Sequence, residues 1–170
     1  MILFETVSVN TLTQEEYDEA IEKLCLPSVE CPDCHHHSLI FHGAYSRGIK
    51  QPDGVLSLTI QRVLCKECGH THALLPAFLI PYCQIVLSET VHIIQASSPE
   101  EKAKIMRDNP SIDESDIGRI LKRWITEWKE RLRAFCIDLS QQLAWHCFSS
   151  FRRQFLQNHC SSSVGFHKTT

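Results

Sequence analysis

Cys31-Pro-Asp-Cys34 and Cys65-Lys-Glu-Cys68 are the residues whose type and spacing could do chemistry. Two cysteines with two residues between them turn both sulfurs to one side of a tight bend. Two such bends supply four thiolates, the tetrahedral set that Zn²⁺ prefers. Because four protein ligands leave no open position for a substrate, the implied chemistry is structural rather than catalytic. The spacing therefore predicts a Zn²⁺ ion held by Cys31, Cys34, Cys65 and Cys68. Glycine after the second cysteine of the latter pair, Gly69, permits the positive φ that turns backbone N–H groups toward sulfur. The matching position in the first pair is His35, so a different or strained turn is expected there. His35, His36 and His37 adjoin one pair, and His70 and His72 follow the other. With four thiolates present they read as surface or outer residues, although one could replace a thiolate or donate a hydrogen bond to one.

Two other chemistries share the first pattern. Cys31-x-x-Cys34-His35 also fits covalent haem attachment, and Cys-Pro-Asp-Cys fits a thiol redox pair. Haem attachment normally takes place outside the cytoplasm, and the sequence opens with no basic start and apolar run of an export signal. A redox pair would open a helix after a βαβ strand, whereas His35 to His37 lead into a strand. Neither explains the second pair. The other five of the nine cysteines (Cys25, Cys83, Cys136, Cys147 and Cys160) are isolated and read as small buried apolar groups.

The elements that must position these thiolates can be read from hydropathy. Leu39 to Arg47 and Val55 to Leu64 have strand character, and Gly48, Pro52, Asp53 and Gly54 between them suit a turn. In the second run Leu56, Leu58, Ile60, Arg62 and Leu64 are expected to share one face. A third short strand is expected at His72 to Leu75, completing a small antiparallel sheet. Upstream, residues 2–9 suit a short strand, and Thr13 with Glu16 makes a capping box that opens a helix through about Leu24, with Tyr17, Ala20, Ile21 and Leu24 on one face. Downstream the pattern turns helical. Leu74, Leu75, Phe78, Leu79 and Ile80 form an apolar connector, and a helix is expected from about Val86 to Gln95. Ser98-Pro99-Glu100-Glu101 starts a second, which stops before Asn109-Pro110. A third begins near Ser111 or Asp113 and runs through Ile117, Ile120, Leu121, Trp124, Ile125, Trp128 and Leu132.

Three helices in that order, with a short turn before the third, have the form of a helix-turn-helix. Its third helix would offer Ser115, Asp116, Arg119, Lys122 and Arg123, off the apolar stripe, to a major groove. Arg119 or Arg123 could pair with guanine, Ser115 with a base edge or phosphate, and the other bases with the backbone. Net charge is −3, but residues 1–30 hold seven acids and one base, whereas Arg119, Lys122, Arg123, Lys129, Arg131 and Arg133 face only Glu127 and Glu130 in the window 119–133. That local excess could serve double-stranded DNA, or equally an ordinary solvated helix face. Beyond it, Trp145, Phe148, Phe151, Phe155 and Leu156 make an apolar face that could extend the bundle or dock a protein, and the sequence from about Ser161 is expected to be loose.

The strings CPDC, LIFHGAYSR and LTIQRVLCKECGHTHALLP resemble the zinc ribbon at the N-terminal end of bacterial insertion-sequence transposases and of small proteins associated with such elements. IDESDIGRILKRW is similar to the helix-turn-helix that follows that ribbon, so the resemblance covers about residues 31–133. It implies recognition of mobile-element ends, or regulation of such an element, and a transposase is then a natural protein partner. Strand transfer by the usual route needs three carboxylates on a separate α/β core. After Arg133 only Asp138 remains, so no enzymatic activity is expected. The sequence also lacks a phosphate-binding glycine loop.

The expected architecture is therefore α+β, a zinc ribbon followed by a helix-turn-helix bundle. Its segments are an N-terminal strand and acidic helix (1–30), the ribbon (31–83), the helix-turn-helix (84–135) and a C-terminal helix with a tail (136–170). A cytoplasmic location is expected, with no membrane span. The expected function is zinc-dependent DNA binding related to transposition. The alternative is a zinc-ribbon adaptor that binds protein and not DNA.

Overall fold

A computed structural model of the chain describes residues 1–5, 13–140, 142–157 and 163–168. The fold is α+β, with a five-stranded mixed sheet and α-helices. In chain order the elements are β1 (Ile2–Phe4), α1 (Gln14–Lys23), β2 (Leu39–Gln51), β3 (Gly54–Cys65), β4 (Thr71–Pro76), α2 (Leu87–Gln95), α3 (Pro99–Asp108), α4 (Glu114–Arg123), α5 (Lys129–Ala134), α6 (Leu143–Phe151) and β5 (Gly165–His167). Sheet order is β2-β3-β4-β1-β5. Among the described residues, no helix is long and apolar enough to cross a membrane.

Two compact units divide the chain. The first comprises the described parts of Met1–Arg47, Leu58–Ala77 and Cys160–Thr170, and the second those of Gly48–Ser57 and Phe78–His159. In the first, β4 lies antiparallel to β3, with Val63 opposite His72. On its other side β4 runs parallel to β1, with Ile2, Leu3 and Phe4 opposite Leu74, Leu75 and Pro76. β1 in turn pairs in parallel with β5. The sheet is therefore larger and more mixed than the antiparallel three strands expected, and the C-terminal segment contributes a strand at Gly165–His167 rather than a loose tail. Residues 6–9 of the expected first strand lie outside the described residues, as does Cys160.

The core of this unit follows from the apolar residues of those strands. Ile2, Leu3, Phe4, Leu58, Ile60, Val63, Leu74 and Leu75 are buried, and α1 closes over them with Tyr17, Ile21 and Leu24. Thr13 and Glu16 form the expected capping box. The Tyr17 hydroxyl donates to Leu74 O (3.1 Å) and accepts from Gln61 N–H (2.8 Å). That second bond marks a departure from the expected face of β3. Inward residues are Leu58 and Ile60 but then Val63 and Cys65, so the parity changes at Gln61–Arg62 and Leu64 is only half-buried. Strict alternation holds only while the pleat is unbroken, and an extra residue reverses every side chain beyond it.

In the second unit α2 packs with α3 and with α4. Ser98 and Glu101 cap α3 reciprocally, with Pro99 in its first turn. Asp113 caps α4, accepting from Asp116 N–H (2.9 Å), while the Asp116 carboxylate accepts from Asp113 N–H (3.2 Å). The long third helix expected through Leu132 is interrupted: α4 ends at Arg123, Trp124–Trp128 form a π-helical turn, and α5 follows. Such a turn shifts the phase of the helix by one residue. Trp128 is fully buried and meets Phe155 and Phe151 edge to face at 5.4 and 5.9 Å. Phe148, Phe155 and Leu156 are buried too, and Trp145 and Phe151 are half-buried, so most of the C-terminal aromatic face belongs to the core.

Candidate functional site

Cys31, Cys34, Cys65 and Cys68 come together. Their sulfurs all lie within 4.8 Å of one another, close enough to share one metal ion. Cys31 and Cys68 Sγ are 3.7 Å apart, and Cys34 and Cys65 Sγ 3.5 Å. A tetrahedron of sulfurs about 2.3 Å from a central Zn²⁺ has edges of about 3.8 Å. Cys31 and Cys65 are buried and their partners half-buried.

The two turns are near copies. Cys31 N–H donates to His36 O and His35 N–H to Cys31 O, both at 2.9 Å; Cys65 N–H donates to His70 O and Gly69 N–H to Cys65 O, again at 2.9 Å. Gly69 has φ +73° and His35 has φ +64°. The first turn therefore keeps the same shape as the second, and the strain of a left-handed residue falls on His35. Such turns aim backbone N–H groups at sulfur. The Cys68 N–H directed at Cys65 holds that thiol down at about 7, whereas burial pushes Cys31 up.

None of the five histidines is needed to complete the sulfur set, and their positions differ. His72 is buried, with Nε2 3.4 Å from Cys31 Sγ and Nδ1 3.3 Å from the Met1 nitrogen. Burial lowers it to about 4, so the ring is neutral at neutral pH and Nε2, with Nδ1 facing a donor, can donate to the sulfur. His70 Nδ1 pairs with Asp33 (2.5 Å), His35 with Glu30, and His36 donates to Cys34 O (3.0 Å). A hydrogen bond from Ser163, aided by His70, holds the Asp33 carboxyl below its usual range.

The five residues expected to face nucleic acid do not behave alike. Ser115, Arg119 and Lys122 are exposed on α4, at the i, i+4, i+7 spacing of one helix face. Gly118 shares that face, and a Cβ there would meet nothing within 4 Å. Arg123 is half-buried and donates through Nη1 to Leu156 O (2.9 Å). Asp116, expected to point outward, is instead buried and paired with Lys50 and with Arg119. Burial raises its carboxyl pKa, but the Lys50 hydrogen bond, the Asp113 N–H and the fields of Lys50 and Arg119 outweigh this and leave it lowered. Its four-residue offset from buried Ile120 and its place opposite the Asp113 cap were the signals in the sequence.

Residues 31–120, more than half of the chain, match the model of a family described as a domain of unknown function, DUF6431. The chain belongs to the DUF6431 family. No curated protein and no solved structure matches it. The DUF6431 match starts on Cys31 and takes in all four cysteines, Ser115 and Arg119; it ends before Lys122 and Arg123.

Proposed function

We propose that this DUF6431 protein is a zinc-dependent DNA-binding factor related to transposition, without a catalytic domain of its own. In this reading Cys31, Cys34, Cys65 and Cys68 hold one Zn²⁺ as the staple of a zinc ribbon. The ion would supply folding free energy on the order of 10 kcal/mol to a hairpin too small to hold itself. α2, α3 and α4 form a helix-turn-helix, with α4 presented to the major groove. The transposition part rests on the resemblance of residues 31–133 to the insertion-sequence proteins.

The observation that carries the DNA reading is the solvent face of α4. Ser115, Gly118, Arg119 and Lys122 combine a hydroxyl, two cations and a gap without a side chain, while Ile117 and Ile120 anchor the opposite face. Such a face allows close approach to a polyanion, with Ser115 at base edges or phosphate and the cations on phosphate or guanine. The competing adaptor reading rests on β2, an edge strand that exposes Ile40, Phe41 and Tyr45. Fluorescence anisotropy with metal-loaded protein and mixed-sequence duplex separates the two. Binding is expected at low salt, and Lys122→Ala is expected to weaken it and reduce the salt slope by about one. No binding at low salt, or affinity indifferent to Ser115→Ala, Arg119→Ala and Lys122→Ala together, would overturn the DNA reading in favour of the adaptor.

A further inference from the structure

We propose that the cavity walled by Tyr82, Gln84, Ile85, Arg119, Ile120 and Arg123 binds a phosphate-bearing ligand, with the phosphate on the guanidinium groups and its organic body on the apolar floor. The cavity has a volume of about 200 Å³. Its floor is apolar, formed by Ile85, Ile120 and Leu156, all buried. A small concave site with an apolar floor and a few convergent donors is the usual form of a ligand pocket.

Three side chains there keep unspent donors among the described residues. Arg119 gives Nη2 to Asp116 and Nε to Ser115 O (3.4 Å), leaving Nη1. Arg123 gives Nη1 to Leu156 O, leaving Nε and Nη2. The Gln84 side chain has no hydrogen-bond partner among the described residues, yet the residue is placed: its main-chain carbonyl accepts from Lys50 N–H (2.8 Å), and its side-chain Nε2 would lie 3.0 Å from a Cβ at Gly48. Two guanidinium groups and an amide match the several oxygens of a phosphate better than the two of a carboxylate. The charge balance agrees. Lys50, Arg119 and Arg123 are opposed by Asp116 in the wall and by Asp113, 4.0 Å from Lys50, which leaves one positive charge in excess.

A second, independent feature marks the same place. Tyr82 and Leu156 both line the cavity, and both are non-glycine residues with positive φ, +59° and +54°. Left-handed backbone at two ordinary side chains persists only where surrounding structure enforces it, and it gathers at ligand sites.

This inference does not require α4 to read bases, because the phosphate could belong to a free small molecule or to a DNA backbone. Phenyl phosphate, titrated into full-length metal-loaded protein and followed by amide NMR, tests it. Saturable shifts at Gln84, Arg119 and Arg123 are expected, with tighter binding than inorganic phosphate, benzoate or phenol. Arg123→Gln is expected to weaken binding about tenfold or more. Because that change could also loosen the turn at Leu156, Gln84→Leu, at an exposed residue, supplies a second variant and is expected to weaken binding as well. No saturable shift up to about 10 mM, or equal affinity in both variants, would overturn the proposal. Displacement of phenyl phosphate by duplex would assign the site to a DNA phosphate; undiminished phenyl phosphate affinity in saturating duplex would assign it to a free ligand. If duplex does not bind at all while phenyl phosphate does, the DNA reading fails and this one stands.

Discussion

His35 holds the left-handed position that Gly69 holds in the matching turn, so one turn is made with a residue suited to it and the other with one that is not. An L-residue there costs about 1–2 kcal/mol relative to glycine, and the exposed His35–Glu30 pair returns little of it. His35→Gly is accordingly expected to raise the stability of the metal-loaded protein by about 0.5–1 kcal/mol, read as an upward shift of the urea midpoint. A lower midpoint would mean that the Glu30 contact outweighs the strain. Asp116 presents the opposite case, a charge taken out of water and compensated. With Lys50 removed, its carboxylate keeps only Arg119 and the Asp113 N–H, so Lys50→Met is expected to cost about 3 kcal/mol at pH 7. Because the folded pKa of Asp116 is depressed below 3.8, the pairing is fully present above that value and is lost as pH falls through the folded pKa. The effect of Lys50→Met should therefore shrink in acid. Equal costs at pH 7 and pH 3 would show that the pair carries no stability.

α4 and β3 show how far an element can be read before its neighbours are known. The caps of α1, α3 and α4 were legible because capping is a local bargain between Thr13 and Glu16, Ser98 and Glu101, or Asp113 and Asp116. The phase of β3 beyond Gln61 was not legible, since it depends on Tyr17, far away in sequence, accepting from the Gln61 N–H. Nor was the π-helical turn at Trp124–Trp128, where packing of Trp128 against Phe151 and Phe155 overrides a continuous 3.6-residue stripe. Gly118 lies inside α4 with open space where its Cβ would be, so it weakens the helix without serving the packing of this chain. Gly118→Ala is expected to raise thermal stability by about 0.5–1 kcal/mol and, on the proposed reading, to weaken duplex binding. Unchanged DNA affinity in the stabilised variant would take this face of α4 out of the interface.

Across the whole molecule, the four cysteines tie together segments that are distant in the chain. Cys31 and Cys34 precede β2, Cys65 ends β3 and Cys68 follows it, so a bound ion would close the base of the hairpin. Removing it should leave four thiols crowded within 4.8 Å of one another with nothing to hold them. Chelation under reducing conditions is expected to abolish amide-exchange protection at Val63, Leu74 and Leu75, with one equivalent of Zn²⁺ restoring it; protection unaffected by metal removal would show that the sheet stands without the ion. The sequence by itself determined the four cysteines that come together, the hairpin between them, the caps and the amphipathic helices, because spacing, turn chemistry and periodicity act over a few residues. Only the tertiary structure decided that β1 and β5 extend the sheet, that Asp116 faces Lys50 instead of solvent, and that Arg123 is drawn to Leu156 beside a cavity. Those outcomes depend on which distant residue offers a pairing edge, a counter-charge or a carbonyl, and local pattern carries no record of that choice.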